Sequence, residues 1–599
     1  MIFDERKIKH ILSYPRPDMR REYKSLDGLW KINLAESREA ARKMLNEYCR
    51  DGDLETEGWQ DILVPYCIES RASGIGCRLK KVFAVYYRTF EPDKNFSGEI
   101  LHLHIGAVDH TSEIYINGRL LHINKAGYTP IHIPVAKDNL RKGPNTLVIY
   151  VEDSLSPAFL RGKQSVFKNN RFVFYTPVSG IWQSVWLENS GRCYLIHYRA
   201  YTGLTSVKLE LFFSQEPSDF VCELVLGDRT KKVRKKHFRF NPQNCSYACT
   251  VDFERERISA PCWSPEAPRL IPFSIRTYEQ TGARKKLSDK IETQFGIHTV
   301  EIRGDEIHLN GFPLYQKLVL NQGYYPQGWY TPLSRDEYIN DINLMKAAGF
   351  NGMRIHEKLE DPAFLFCCDA MGMLVWEEIP SPYIMSKKTR QELDATILSI
   401  IRRDFNHVCI ITWVVFNESW GLYNTLFSKR YTRILKDCYC FMKTLDPSRP
   451  VIDNSGFYHG VTDIIDIHHY LPGIEFIKAY YRRLFRREFR KFTLKEFLSL
   501  FVRIEQAQPE IYNNEFNDTG QPIIISEFGG YGFYQSEKKD FIEIYREWVN
   551  LIREYETLRG FCYTQFTDVE QEQNGLFTFE RSPKASLDKI RAITSGSGY

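Results

Sequence analysis

The sequence predicts a multidomain chain: two N-terminal β-sandwich domains followed by a (β/α)8 TIM barrel. Three observations carry this. From about Leu29 to Glu188, and again from about Ser190 to Thr299, short β-rich runs are separated by turn residues. After Glu301 short apolar strands alternate with helical stretches, which is the signature of a parallel sheet. Eight such strand–helix units fit in the second half of the chain, the size of a barrel, and no GxGxxG marks a doubly wound alternative.

In the first domain, placed at 1–190, Glu113 to Leu121 (EIYINGRLL) alternates apolar and polar residues and turns at Asn117-Gly118, a strong hairpin signal. Asn145 to Asp153 and Gly180 to Glu188 are further strands of period two. The second domain, 191–299, continues with VKLELFFS, FVCELVLGD and YACTVDFE. Its run of six Lys/Arg between Lys231 and Arg239 reads as a solvated edge strand that blocks edge pairing, in preference to a nucleic-acid patch.

In the barrel, 300–599, the candidate strands are LYQKLVL, FNGMRIH, MLVWEE, CIITWVVFNE, RPVIDN, DIIDIHH, PIIISEF and GFCYTQF. Ser334-x-x-Glu337 is a capping box for a helix stopping at Gly349. Asp361-Pro362 caps a helix ending at Gly372. One stretch exceeds a minimal barrel: Phe485, Phe489 and Phe492 recur at helical spacing among arginines. They predict a basic amphipathic helix on the rim, as packing, as a lid or as a subunit contact.

Composition bounds the partners. Of 599 residues 43% are hydrophobic, 26% charged and 14% aromatic, which excludes a disordered or fibrous chain. A net charge of +5 implies no broad nucleic-acid or membrane field, and no apolar run is long enough for a membrane span. The N-terminus has no signal-peptide h-region, and the 14 cysteines include no CxxC pair. A reducing cytoplasm is therefore expected, with no zinc site.

Reactive side chains of a barrel sit at the C-terminal ends of its strands. Glu418 ends CIITWVVFNE and Glu527 ends PIIISEF, two carboxylates after apolar strands, which must be paired, hydrogen-bonded or shifted in pKa. On strands four and seven they face each other across the mouth. Two facing carboxylates are what glycosidic cleavage needs, one as acid and one as nucleophile or stabiliser. Their spacing, about 5–5.5 Å or about 6.5–9.5 Å, decides between retention and inversion. Strand-end carboxylates also serve as caps or ion pairs.

The chain resembles glycoside hydrolase family 2, the β-galactosidase, β-glucuronidase and β-mannosidase family, over essentially its whole length. The resemblance rests on LDGLWKINL, VYYRTF, GAVDHTSEIYING and GIWQSVWLE in the N-terminal half, and on RRDFNHVCIITWVVFNESWG and IISEFGG in the barrel. It implies a jelly-roll-like sugar-binding domain, an immunoglobulin-like domain and a catalytic barrel working with retention. It further implies Glu418 as acid/base, with a pKa raised by the charge of Glu527, Glu527 as nucleophile, and Asn417 on the substrate 2-hydroxyl.

The resemblance also implies that Arg354 and His356 match polar positions that hold the nucleophile and sugar hydroxyls. Of His469 and Tyr470, Tyr470 is favoured to reach the nucleophile. Glu378 matches an acidic position near the site, and Trp376 and Tyr563 are candidate stacking platforms. Lys358 either enters the pocket to read an anionic or furanose substrate, or lies at the rim. Family glucuronidases bind the uronate with an Asn-x-Lys element, and the corresponding stretch, Asp568 to Thr578, has no lysine. A neutral sugar, above all a β-galactoside, is therefore expected at an exo-acting site. Galactofuranosides, α-arabinopyranosides and β-glucuronides are alternatives, as is a catalytically silent carbohydrate-binding protein. No cofactor or metal is expected, and a homo-oligomer is compatible with the resemblance.

Overall fold

The computed structural model describes residues 2–596 apart from 93–95, 97, 168, 216–219, 227–232, 236–238, 242–245, 257–258, 282–283, 424–427, 471–517 and 531–539. The basic helix expected around Phe485 to Phe492 lies outside the described residues.

Alternating apolar residues build the first β unit. A six-stranded antiparallel sheet runs in the order Gln60–Val64, Gly28–Leu34, Lys81–Phe90, Asn145–Ser154, Thr111–Ile116, Arg119–Lys125. It faces a four-stranded sheet of Tyr23–Ser25, Val185–Ser190, Ile100–Ile105 and Ile131–Ala136. Trp30, Ile32, Leu147 and Ile149 of the first sheet share a core with Leu101, Leu103 and Leu187 of the second. The hairpin turns where expected, with Asn117 at φ +51° and Gly118 at φ +82°, the left-handed pair of a type I′ turn.

A helix, Arg38–Asp51, interrupts a region where the sequence pattern predicts strands alone. Ser37 caps it by accepting from the Ala40 N–H, and Gly52 ends it at φ +71°. Its Ala41, Leu45 and Tyr48 pack on Val85, Tyr115 and Val148, the outer face of the six-stranded sheet.

The second unit is a pair of four-stranded antiparallel sheets between Leu195 and Gly296. Val233–Lys235, the described part of the basic run, is an edge strand beside Phe220–Leu226.

An eight-stranded parallel sheet forms the barrel. Its strands are β1 (Gln316–Asn321), β2 (Gly352–Ile355), β3 (Leu374–Glu378), β4 (Ile410–Val414), β5 (Val451–Ile452), β6 (Ile465–His469), β7 (Ile523–Gly529) and β8 (Leu558–Thr564). They pair in the order β5-β4-β3-β2-β1-β8-β7-β6, which nearly closes the barrel. The strands are buried on both faces, which is why they read as continuous apolar runs. Helix α1 (Asp336–Ala347) opens at the capping box, where Glu337 accepts from the Ser334 N–H at 3.2 Å. Helix α2 (Pro362–Met371) is capped by Asp361, which accepts from Ala363 N–H at 2.8 Å. A small antiparallel sheet, Val300–Arg303, Glu306–Leu309 and Phe312–Pro313, precedes β1.

The first β unit docks on the barrel mouth. Backbone N–H groups of Tyr383 and Ile384, after β3, donate to Pro157 O. Thr176 and Asn170 hydrogen-bond Glu570, and Gln571 donates to the carbonyls of Phe172 and Phe174. Loops of that unit therefore wall one side of the opening. No helix among the described residues is long and apolar enough to cross a membrane.

Candidate active site

Four strand ends converge on one guanidinium. Arg354, on β2, is fully buried and donates through Nε to Glu378 of β3 (2.7 Å), through Nη1 to Glu527 of β7 (2.8 Å), and through Nη2 to Asn417 Oδ1 after β4 (2.8 Å). Burial opposes its charge, but the Glu378 and Glu527 carboxylates outweigh that and raise its pKa. Tyr470, after β6, donates to the other oxygen of Glu527 and lies 3.2 Å from Thr564.

Glu418 sits opposite. Its backbone and that of Ser419 adopt φ +47° and +59°, a left-handed turn that few non-glycine residues take. The loop after β5 holds it: Glu418 N–H donates to Ser455 O (3.0 Å) and Ser419 N–H to Asn454 Oδ1 (2.8 Å). His468 of β6 donates from Nδ1 to Glu418 Oε1 (2.8 Å), and its Nε2 is 3.4 Å from Glu527 Oε1. One oxygen of each glutamate and a nitrogen of His468 all lie within 4.8 Å of one another. Burial pushes the Glu418 carboxyl up, yet the hydrogen bond and charge of His468 bring it below its usual value. Burial likewise disfavours the His468 cation, but Glu527 and Glu418 reverse the sign and raise it.

The family model described as "Glycosyl hydrolases family 2, TIM barrel domain" matches residues 300–596, the barrel that carries these groups. The chain belongs to glycosyl hydrolase family 2. A β-glucuronidase of Canis lupus familiaris is 24% identical over 96% of this chain and 91% of its own length. A β-galactosidase of Thermoanaerobacter pseudethanolicus is 25% identical over 56% of this chain and 45% of its own. Among solved structures, a family 2 β-galacturonidase from Eisenbergiella tayi bound to galacturonate superposes with a TM-score of 0.71, at 19% identity over 97% of this chain and 98% of that one. That likeness is one of fold.

In this family 2 hydrolase the barrel brings together Glu418, Glu527, Asn417, Arg354, Tyr470, Glu378 and His356. His356 Nδ1 is 3.5 Å from Glu378 and 4.0 Å from Glu527, and burial pushes its imidazole well below the usual range, so the ring is neutral. Three expected residues are not brought to the pocket. Trp376 points into the barrel below Glu378 and donates to Gln316 Oε1 (2.8 Å), filling an inner layer. Tyr563 points out of the barrel, packs on Phe528 and Tyr545 of the helix Phe541–Arg553, and donates to Asn574 O. Lys358 is buried and bound to Glu360 (2.8 Å), Gly323 O (2.7 Å) and Tyr330 O (3.1 Å), so it neither reads substrate nor lies at the rim.

One further correction concerns charge. The upward shift expected for Glu418 is reversed because His468 supplies a hydrogen-bond donor and a charge beside it. The Glu418–His468–Glu527 set is also a carboxylate–histidine cluster of the kind that could hold a cation. Hydrogen bonding within the set accounts for its spacing. A second such set, Asp369, His407 and Cys409, is fully buried, with His407 on Asp369 at 2.6 Å.

Proposed function

We propose that this hydrolase removes terminal β-linked sugars with retention of configuration, by double displacement. Glu527 attacks the anomeric carbon while Glu418 protonates the leaving oxygen. Glu418 then takes a proton from the water that releases the sugar. The observation that carries this reading is the approach of the two carboxylates: one oxygen of each lies within 4.8 Å of the other, closer to the spacing of about 5–5.5 Å of carboxyl groups that attack directly than to the about 6.5–9.5 Å of inverting pairs.

The surrounding groups suit these roles. Arg354 and Tyr470 fix both oxygens of Glu527, which aims the attacking lone pair. Because Arg354 occupies Asn417 Oδ1, the Asn417 amide N–H2 is left to donate to a 2-hydroxyl. The loops of the first β unit close one side of the mouth, which favours action at a chain end. That unit is read as a jelly-roll-like sugar-binding domain and the next as immunoglobulin-like.

The lysine-free stretch after β8 argues for a β-galactoside as the reacting sugar, and the name of the Canis relative, a β-glucuronidase, for an acidic one. A panel of nitrophenyl β-galactoside, β-galactofuranoside, β-glucuronide, β-mannoside, β-glucoside and α-arabinopyranoside, with Glu527→Ala as blank, tests the function. Release by the wild type that disappears in the blank supports it. Silence across the panel, or equal release by the blank, overturns it.

A further inference from the structure

The stretch after β8 carries no lysine, but a lysine reaches the barrel mouth from elsewhere in the chain. Glu570, Gln571 and Glu572, in the stretch that lacks it, are spent on the first β unit, Glu572 accepting from the Tyr175 hydroxyl. From that same unit a short loop, residues 161–164, enters the barrel mouth and carries Lys163.

The loop is held from both sides. Arg161 N–H and Gly162 N–H donate to Ser381 O (3.2 and 3.0 Å), and the Tyr383 hydroxyl reaches Gly162 O (2.9 Å) and Gln164 O (3.1 Å). On the other side Arg161 is ion-paired with Asp153, and Gln164 donates to Asp109 (2.8 Å). Gly162 has φ +54°, and a Cβ there would fall 2.1 Å from the Glu357 carbonyl oxygen, so the close approach to the barrel depends on glycine.

This clamp delivers the Lys163 ammonium over the faces of Trp420 (5.4 Å to the centroid) and Tyr175 (5.6 Å), two residues beyond Glu418 in one case and beside Glu572 in the other. It acts electrostatically on Glu418, Glu378, Glu357 and Glu572 together. Yet among the described residues none of these carboxylates comes within 4.0 Å of it, and no hydrogen-bond acceptor meets it. The contrast is Lys358, more deeply buried, whose ammonium has three acceptors within 3.1 Å. The fold meets the hydrogen-bonding requirement of one lysine in full and leaves the donors of the other open toward the site.

The other charges near it are already matched. Arg354 serves Glu378 and Glu527, and His468 serves Glu418. Glu357 and Glu572 are driven by burial toward their neutral forms. We propose that Lys163, carried into the barrel mouth by the N-terminal β unit, is a specificity-determining residue that takes the carboxylate of an acidic glycoside. This rests on the glycosidase reading above and narrows its substrate class to uronides, against the neutral galactoside that the stretch after β8 suggested.

The test compares kcat/KM for nitrophenyl β-glucuronide and β-galacturonide with the neutral β-glucoside and β-galactoside, in wild type, Lys163→Met and Lys163→Arg. The wild type is expected to prefer an acidic member of a pair. Lys163→Met is expected to lose at least a hundredfold more on the acidic than on the neutral member, and Lys163→Arg to recover part of that loss. Equal losses on both members, or a wild-type preference for the neutral sugar, overturn the proposal. Calorimetric titration with free glucuronate, galacturonate and galactose needs no turnover and separates this proposal from the hydrolytic one. A wild type that binds a uronate more tightly than galactose, with affinity falling as salt rises, supports it even if no glycoside is cleaved or the methionine variant fails to fold. A wild type that binds neither uronate, or binds galactose more tightly, overturns it.

Discussion

Arg354 joins three of the residues on which the proposed chemistry depends, and replacing it by lysine separates its geometry from its charge. Arg354→Lys keeps the cation, but one ammonium cannot meet Glu378, Glu527 and Asn417, which lie on three different strands at 2.7–2.8 Å from three different nitrogens. On the reacting side the substitution breaks the hydrogen bonds to Glu527 and Asn417. At about 1.5–3 kcal/mol for each charge-assisted hydrogen bond the cost is about 3–6 kcal/mol, or about two to four decades in kcat/KM. Arg354→Met should in addition leave Glu378 and Glu527 buried without a cation and cost about 3–5 kcal/mol of stability. Initial rates on an activated aryl glycoside give the first quantity and urea denaturation the second. An Arg354→Lys variant within fivefold of wild-type kcat/KM, folded by circular dichroism, would refute the positioning argument.

His468→Gln removes the strongest of the groups that hold the Glu418 carboxyl down, leaving only the charges of Lys163 and Arg354 against burial. The Glu418 pKa then rises, more of it is protonated at neutral pH, and the alkaline limb of the kcat/KM profile should move to higher pH. A limb that stays put or moves down contradicts the assignment. Glu418→Gln should be severely slowed on glycosides with poor leaving groups and milder on nitrophenyl glycosides, which need less acid assistance. Equal losses on both would remove Glu418 from the acid role. Lys358→Met should cost about 3–5 kcal/mol of stability by stranding buried Glu360, while the ratio of acidic to neutral substrate turnover stays unchanged. A changed ratio would place Lys358 at the substrate after all.

Much of the barrel was legible because strands buried on both faces leave continuous apolar runs between capping boxes and glycine stops, and all eight lie where those runs placed them. Glu418 and Glu527 stood out for the same reason, as charges that end apolar strands. Side-chain direction was harder to read. Trp376 shares the inward face of Glu378, two residues along the strand, but the barrel interior is layered and the lower layer is packing rather than pocket. Tyr563 points outward, while Thr564 beside it meets Tyr470. His468 was readable in principle: period two puts it on the same face as Tyr470, with His469 turned outward against Trp548. Helix Arg38–Asp51 was missed among strands despite a serine cap and a glycine stop. Lys163 could not be found from local pattern, because its position depends on hydrogen bonds and packing between residues 161–164 and 357–383, far apart in the chain.

The central claim is that Glu527 forms a covalent bond to the sugar. Incubation with an activated 2-deoxy-2-fluoro glycoside of the sugar that the enzyme turns over slows release of the intermediate, and peptide mass spectrometry then locates the added sugar. The account predicts one fluoroglycosyl group on the peptide that contains Glu527, absent in Glu527→Ala. A label on another carboxylate, or turnover with inverted product and no label, would contradict it.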